Sequence, residues 1–138
     1  MSVEQTQATL EAYLETLVKR GDYARYFSDD VVWATMGPNQ EIRGREAVGQ
    51  FIRWFHQQAF DATPRVKTLV VADGQAALEA AFVGRHTGEF FGVAATGREV
   101  NLPYCMIYDL AGEQITALRG YMPLDVLFQQ LGATPTPG

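Results

Sequence analysis

Cysteine is almost missing from this 138-residue chain, which has Cys105 alone, and histidine is limited to His56 and His86. One thiol cannot close an intrachain disulfide, and two histidines far apart in sequence have no ligand spacing, so neither a metal nor another cofactor is expected. Cations are short as well: 11 Lys and Arg stand against 16 Asp and Glu, a net charge of −5. A face that grips nucleic-acid phosphates is normally basic, so no nucleic-acid partner is expected. No apolar run approaches the ~20 residues that span a bilayer, so no membrane partner is expected either. The start, MSVEQTQATLEAYLETL, lacks the basic-then-apolar order of a signal peptide, and a cytoplasmic location is expected. What remains, 47% hydrophobic and 20% charged residues, suits one globular domain with one core.

Periodicity predicts a helix over 4–19, with Leu10, Tyr13, Leu14, Leu17 and Val18 on one face and Gly21-Asp22 as its stop. A short helix is expected at 22–27 and a strand over Val31–Thr35. The segment MGPNQEIRG (36–44) reads as loop by its Gly, Pro and Asn. A third helix is expected over 45–59, with Val48, Phe51, Ile52 and Phe55 at i, i+3, i+4 and i+7. The period then changes to that of strands, expected near 65–72, 76–87, 98–109 and 114–122, with turns at Asp73-Gly74 and Ala111-Gly112. A last helix is expected at 124–131 and a frayed tail at 133–138. Without repeat or linker, residues 1–138 form a single domain. Helices first and antiparallel strands later give an α+β fold, a curved antiparallel or mixed sheet wrapped around the helices as a cone.

RHTGEFFGVAATGREVNL (85–102) is rich in glycine and carries a histidine, but it leads from one strand into another, VNLPYCMIYDL. A phosphate-binding loop leads from a strand into a helix N-terminus, so this stretch reads as a long hairpin connection.

HTGEFFGVAATGREV resembles the SnoaL-like polyketide cyclase family, with its His-Thr-Gly before a bulged hairpin and its Thr-Gly-Arg after it. ITALRGYMPLDVLFQQLG is similar to that family's last strand and helix, and Arg20-Gly21-Asp22, YFSDDVVW and IRGREAVGQF extend the likeness into the N-terminal half. The resemblance implies the cystatin-like α+β barrel of the nuclear-transport-factor-like superfamily, which also holds ketosteroid isomerase and limonene-1,2-epoxide hydrolase. It implies a pocket inside the cone, but the relatives' catalytic groups are not kept. The hydrolase's Asp–Arg–Asp set would fall at Val83, Ala81 and Gly120, and its water-holding pair at Trp33 and Thr35. The isomerase's base would fall at Thr35 or Met36. The cyclases' acid before the last helix is replaced by Pro123, with Asp125 two residues on, and the only acid on the last two strands is Asp109.

Among other acids, Glu79 sits in the apolar strand Ala76–Val83. An alternation that turns Ala81 and Val83 inward turns Glu79 and Arg85 inward too, as an acid–base or anchoring pair, the competing reading being a structural ion pair. His86 then points outward or into the hairpin, His56 lies at a helix surface, and Cys105 reads as a small buried hydrophobe. Arg98 and Arg119 read as a hairpin contact and an outer-face residue. Trp33, Thr35, Phe55, Leu102, Tyr104, Met106, Leu118 and Met122 are expected to line the cone and to suit a hydrophobic small molecule. The outer face is expected to carry Phe82, His86, Arg119, Tyr121 and Ile107, apolar enough for a homodimer to cover it. Three functions stay open: cofactor-independent acid–base enzyme of cyclase or isomerase type, non-catalytic binder of the same ligand, and dimerisation module.

Overall fold

The computed structural model describes residues 2–37 and 40–133. Helix α1 (Val3–Val18) opens with a reciprocal cap: Ser2 Oγ accepts from the Gln5 amide at 3.1 Å, and Gln5 Oε1 accepts from the Ser2 amide at 3.0 Å. Two otherwise orphaned donors are thereby satisfied. Its buried face runs Thr6, Leu10, Tyr13, Leu14 and Leu17. A 3-10 turn (Tyr23–Tyr26) leads directly into β1 (Phe27–Thr35), which begins earlier than the expected Val31.

Two elements depart from the local pattern. Part of the expected loop is a short strand, β2 (Gln40–Arg43), paired antiparallel with β1. Its four mostly polar residues sit at the sheet edge, where one solvated face gives no apolar alternation to read. The expected third helix divides into α2 (Arg45–Arg53) and a π-helical turn (Trp54–Ala59). The wider turn places Phe55 and Ala59 in the core before the chain enters β3 (Phe60–Ala72).

β3 is followed by β4 (Gln75–His86), β5 (Glu99–Ala111) and β6 (Gln114–Tyr121), then by α3 (Leu124–Gln130). The sheet order is β2-β1-β6-β5-β4-β3, antiparallel throughout except for the parallel pair β1–β6. The fold is thus the expected α+β, with a mixed curved sheet and α1 and α2 against its concave side. The 85–102 stretch is the connection between β4 and β5. Gly84, near the end of β4, and Gly88, in this connection, answer a packing demand. A Cβ at Gly84 would stand 2.0 Å from the Asp61 carbonyl oxygen, and one at Gly88 would stand 2.4 Å from that of Gln58. Only a residue without a side chain lets these backbones approach. Of the expected frayed tail, all but Ala133 lies outside the described residues.

Candidate functional site

Register decides which side chains enter the cone. On β5 the buried residues alternate: Val100, Leu102, Tyr104, Met106, Tyr108 and Leu110. Directly opposed residues of antiparallel strands share a face. Phe82 opposes Leu102, Ala80 opposes Tyr104, Leu78 opposes Met106 and Ala76 opposes Tyr108, so these β4 residues face inward. Glu79 opposes Cys105, and both are exposed on the convex side. The expected parity of β4 is therefore inverted. Phe82 and His86 are buried rather than outward, Cys105 is exposed rather than buried, and Glu79 and Arg85 share a face that is the outer one.

Neither member of that pair contacts the other. Glu79 Oε1 accepts from Thr68 Oγ1 at 3.0 Å, while Arg85 donates to the Gly97 carbonyl at 2.7 Å and meets Glu99 at 3.3 Å. Arg119 is on the outer face, as expected, and makes a two-pronged contact with Asp109 at 2.6 and 3.1 Å. This guanidinium holds the Asp109 carboxyl below its ordinary range. Among the described residues, no carboxylate is buried, and no group of three His, Cys, Asp or Glu side chains could hold a metal.

The expected lining does converge. Trp33, Phe55, Leu102, Tyr104, Met106 and Leu118 are buried on the concave side, with Thr35 and Met122 half-buried beside them. Trp33 Nε1 donates to Thr35 Oγ1 at 2.9 Å, and its ring lies 5.2 Å from that of Phe51. A Cβ at Gly120 would stand 3.3 Å from Met106 Sδ and 3.4 Å from the Trp33 indole, so this glycine gives both side chains room. Phe51 and Trp54 are half-buried at the same end, and Leu124 is half-buried against the core. At the other wall Phe55 stacks flat on Phe82, centroids 4.5 Å apart, with Phe60 and Phe90 against them.

Sequence reasoning placed Tyr104 in the lining but did not name Tyr13 and Tyr108 as polar members of this interior. Tyr13 from α1 and Tyr108 from β5 are each 2% exposed, with ring centroids 6.2 Å apart, and Tyr104 is 8% exposed. Burial drives all three phenols well above their ordinary range. A charge on Tyr104 would further oppose ionisation of both Tyr13 and Tyr108. All three are neutral donors at any physiological pH. The signal was present: Tyr104 and Tyr108 keep the parity of Leu102 and Met106, and Tyr13 lies on the apolar face of α1.

The two histidines are structural in their surroundings. His86 Nδ1 accepts from the Thr96 amide at 3.1 Å, Nε2 is enclosed without a partner among the described residues, and burial lowers its pKa. His56 is half-buried, edge-on to Phe82 at 5.2 Å, and Nδ1–H donates to the Ile52 carbonyl at 2.8 Å. Burial, aided by the Arg20 charge, lowers it to about 4, against a backbone hydrogen bond that works the other way.

The SnoaL-like polyketide cyclase family model matches residues 7–131. No curated protein matches the chain. Solved structures share its fold. One is a candidate SnoaL-like polyketide cyclase from Jannaschia sp. CCS1, 20% identical, covering 96% of this chain and 94% of its own at a TM-score of 0.85. AclR, a candidate hydroxylase from Streptomyces galilaeus, is 19% identical over 97% of this chain and 89% of its own, TM-score 0.80. An LEH-like epoxide hydrolase from M. tuberculosis is 18% identical over 94% and 90%, TM-score 0.72.

Proposed function

This chain belongs to the SnoaL-like polyketide cyclase family, and from that premise we propose that its cone binds a flat apolar small molecule of polyketide, terpenoid or steroid kind, without a cofactor. The observation that carries this reading is the convergence of Trp33, Leu102, Tyr104, Met106 and Leu118 on one concave surface. The half-buried Thr35, Phe51 and Trp54 stand beside Trp33, and Met122 and Leu124 pack against the same core. Ligand pockets of this size of protein are mostly apolar, with few polar groups placed among aromatic walls. Binding leads over acid–base turnover because a proton-abstracting carboxylate needs to reach the ligand, and no buried carboxylate occurs among the described residues. Family membership supports a second reading, in which the same bound molecule is turned over by cyclase-type chemistry. We also propose that a second copy of the chain covers the convex face, where Val70 is 61% and Tyr121 45% exposed near Ile107.

The chain's two tryptophans, Trp33 and Trp54, are both in this region, so intrinsic fluorescence reports on it directly. Titration with a tetracyclic aromatic polyketide, a steroid and a monoterpene is expected to change that fluorescence saturably for at least one of them. Gly120→Ala, whose methyl group would press on Met106 and the Trp33 indole at 3.3–3.4 Å, is expected to weaken the effect while the far-ultraviolet circular dichroism stays native. No saturable response to any of the three, up to their solubility limits, would refute the reading.

A further inference from the structure

The tip of the β4–β5 connection holds an aromatic ring where the backbone disfavours one. Phe90 and Val93 exchange both of their backbone hydrogen bonds, each 2.9 Å, so Phe91 and Gly92 are the two central residues of a tight turn. Both have positive φ, 43° at Phe91 and 82° at Gly92. Glycine, asparagine or aspartate takes such a position with little strain, whereas a bulky side chain there holds the backbone in a sparsely populated region. Strain of this kind collects at ligand clamps and switches. Burial does not explain the ring. Phe91 is 50% exposed, more than any other aromatic side chain among the described residues. It lies edge-on to Trp54, centroids 6.1 Å apart. Trp54 continues through Phe51 to Trp33 of the cone wall, at 5.9 and 5.2 Å. Phe91 is thus the outer end of an aromatic path that starts inside the cone.

The frame around this ring is anchored. The adjacent Phe90 is 1% exposed and packs among Phe55, Phe60 and Phe128. The Thr87 and Gly88 amides both donate to the Ala59 carbonyl at 3.0 Å, and Thr87 Oγ1 donates to that of Gln58 at 3.1 Å. These bonds tie the base of the connection to the π-helical turn. A surface groove bordered by Trp54, Gln58, Gly88 and Gly92 adjoins Phe91 and leaves its ring room to swing off Trp54.

We propose that Phe91 is a gate on the route into the cone: its ring lies over Trp54 in the closed state and turns into the groove to let an apolar molecule pass beside Trp54. The proposal rests on the reading that the cone binds such a molecule. The strained turn fixes where the ring stands, and the anchored base keeps the opening to one side chain rather than the whole connection. A gate of this kind covers the route and not the bound molecule. It therefore slows entry and exit by the same factor and leaves the affinity alone.

The test is stopped-flow binding of N-phenyl-1-naphthylamine, an uncharged aromatic probe whose fluorescence rises in apolar surroundings, to the wild-type chain and to Phe91→Asn and Phe91→Gly. Both variants accept positive φ and remove the ring, and far-ultraviolet circular dichroism is expected to stay native. With an open state populated at about a tenth, loss of the gate raises the association and dissociation rate constants together by roughly tenfold in both variants, while the equilibrium constant moves by less than about twofold. Unchanged rate constants in both variants would overturn the gate and leave the cone as a binding site. Faster dissociation alone, with weaker affinity, would make Phe91 a wall of the site and overturn the gate as well. Failure of the probe to bind the wild-type chain would remove the binding reading itself, and the gate with it.

Discussion

His56 makes the stability of this protein depend on pH in a way that can be worked out in advance. Unfolded, the imidazole titrates near 6.5; folded, at about 4, because its half-buried ring is packed against Phe55 and Phe82 and Arg20 adds a repelling charge. Between those two values the unfolded chain binds a proton that the folded chain refuses. Stability contributed by keeping the ring neutral is whole above pH 6.5, declines as the pH falls, and stops declining near 4. One pH unit inside that window is worth about 1.4 kcal/mol, so the loss between pH 7.5 and 4.5 is about 2.5 kcal/mol. That is a large share of the roughly 5–15 kcal/mol of a typical domain. His86, also lowered by burial, adds a loss of the same sign, and paired carboxylates add theirs at lower pH. The variant His56→Gln separates the contribution. It gives up the hydrogen bond to Ile52, which costs about 1 kcal/mol at pH 7.5, and has nothing to titrate. Urea unfolding followed by circular dichroism at pH 7.5, 6.5, 5.5 and 4.5 is expected to show the wild-type advantage shrinking and then reversing. Parallel curves, or a His56 resonance that titrates above pH 6 in the folded protein, would refute the argument.

Two further predictions follow from the register of β4. Phe82→Ala removes a ring that is 0% exposed and stacked on Phe55, and is expected to cost about 3–5 kcal/mol in urea unfolding. Glu79→Ala, three residues away on the convex face, is expected to change stability by less than about 0.5 kcal/mol; the parity expected from the sequence would predict the opposite ranking. If a second copy covers the convex face, Ile107→Lys is expected to shift sedimentation from dimer to monomer without altering circular dichroism, and an unchanged sedimentation coefficient would refute that arrangement.

The residues that sequence reasoning read correctly are those whose neighbours alternate cleanly. Leu102, Tyr104 and Met106 alternate with Asn101, Pro103 and Cys105, and their inward face was legible from that pattern. β4 offers no such contrast. In Ala76–Val83, alanines occupy both faces, so the local sequence cannot say whether Phe82 or Val83 is inward. β2 was hidden because four edge residues need only one partner strand and no buried face. The break of the third helix into a π-helical turn was hidden because Phe55 and Ala59 hold their helical spacing either way.

Composition and periodicity by themselves determined the α+β class and the type and order of the elements other than β2 and the π-helical turn, and a resemblance running through most of the chain determined the family. These are properties of short windows, set by side-chain period and turn chemistry. Only the tertiary structure decided the face of Glu79, the packing of His56 against Phe82 and the meeting of Tyr13 with Tyr108. Those depend on which residue of one strand lies opposite which residue of the next, and a slip of one position exchanges every side chain between the two faces.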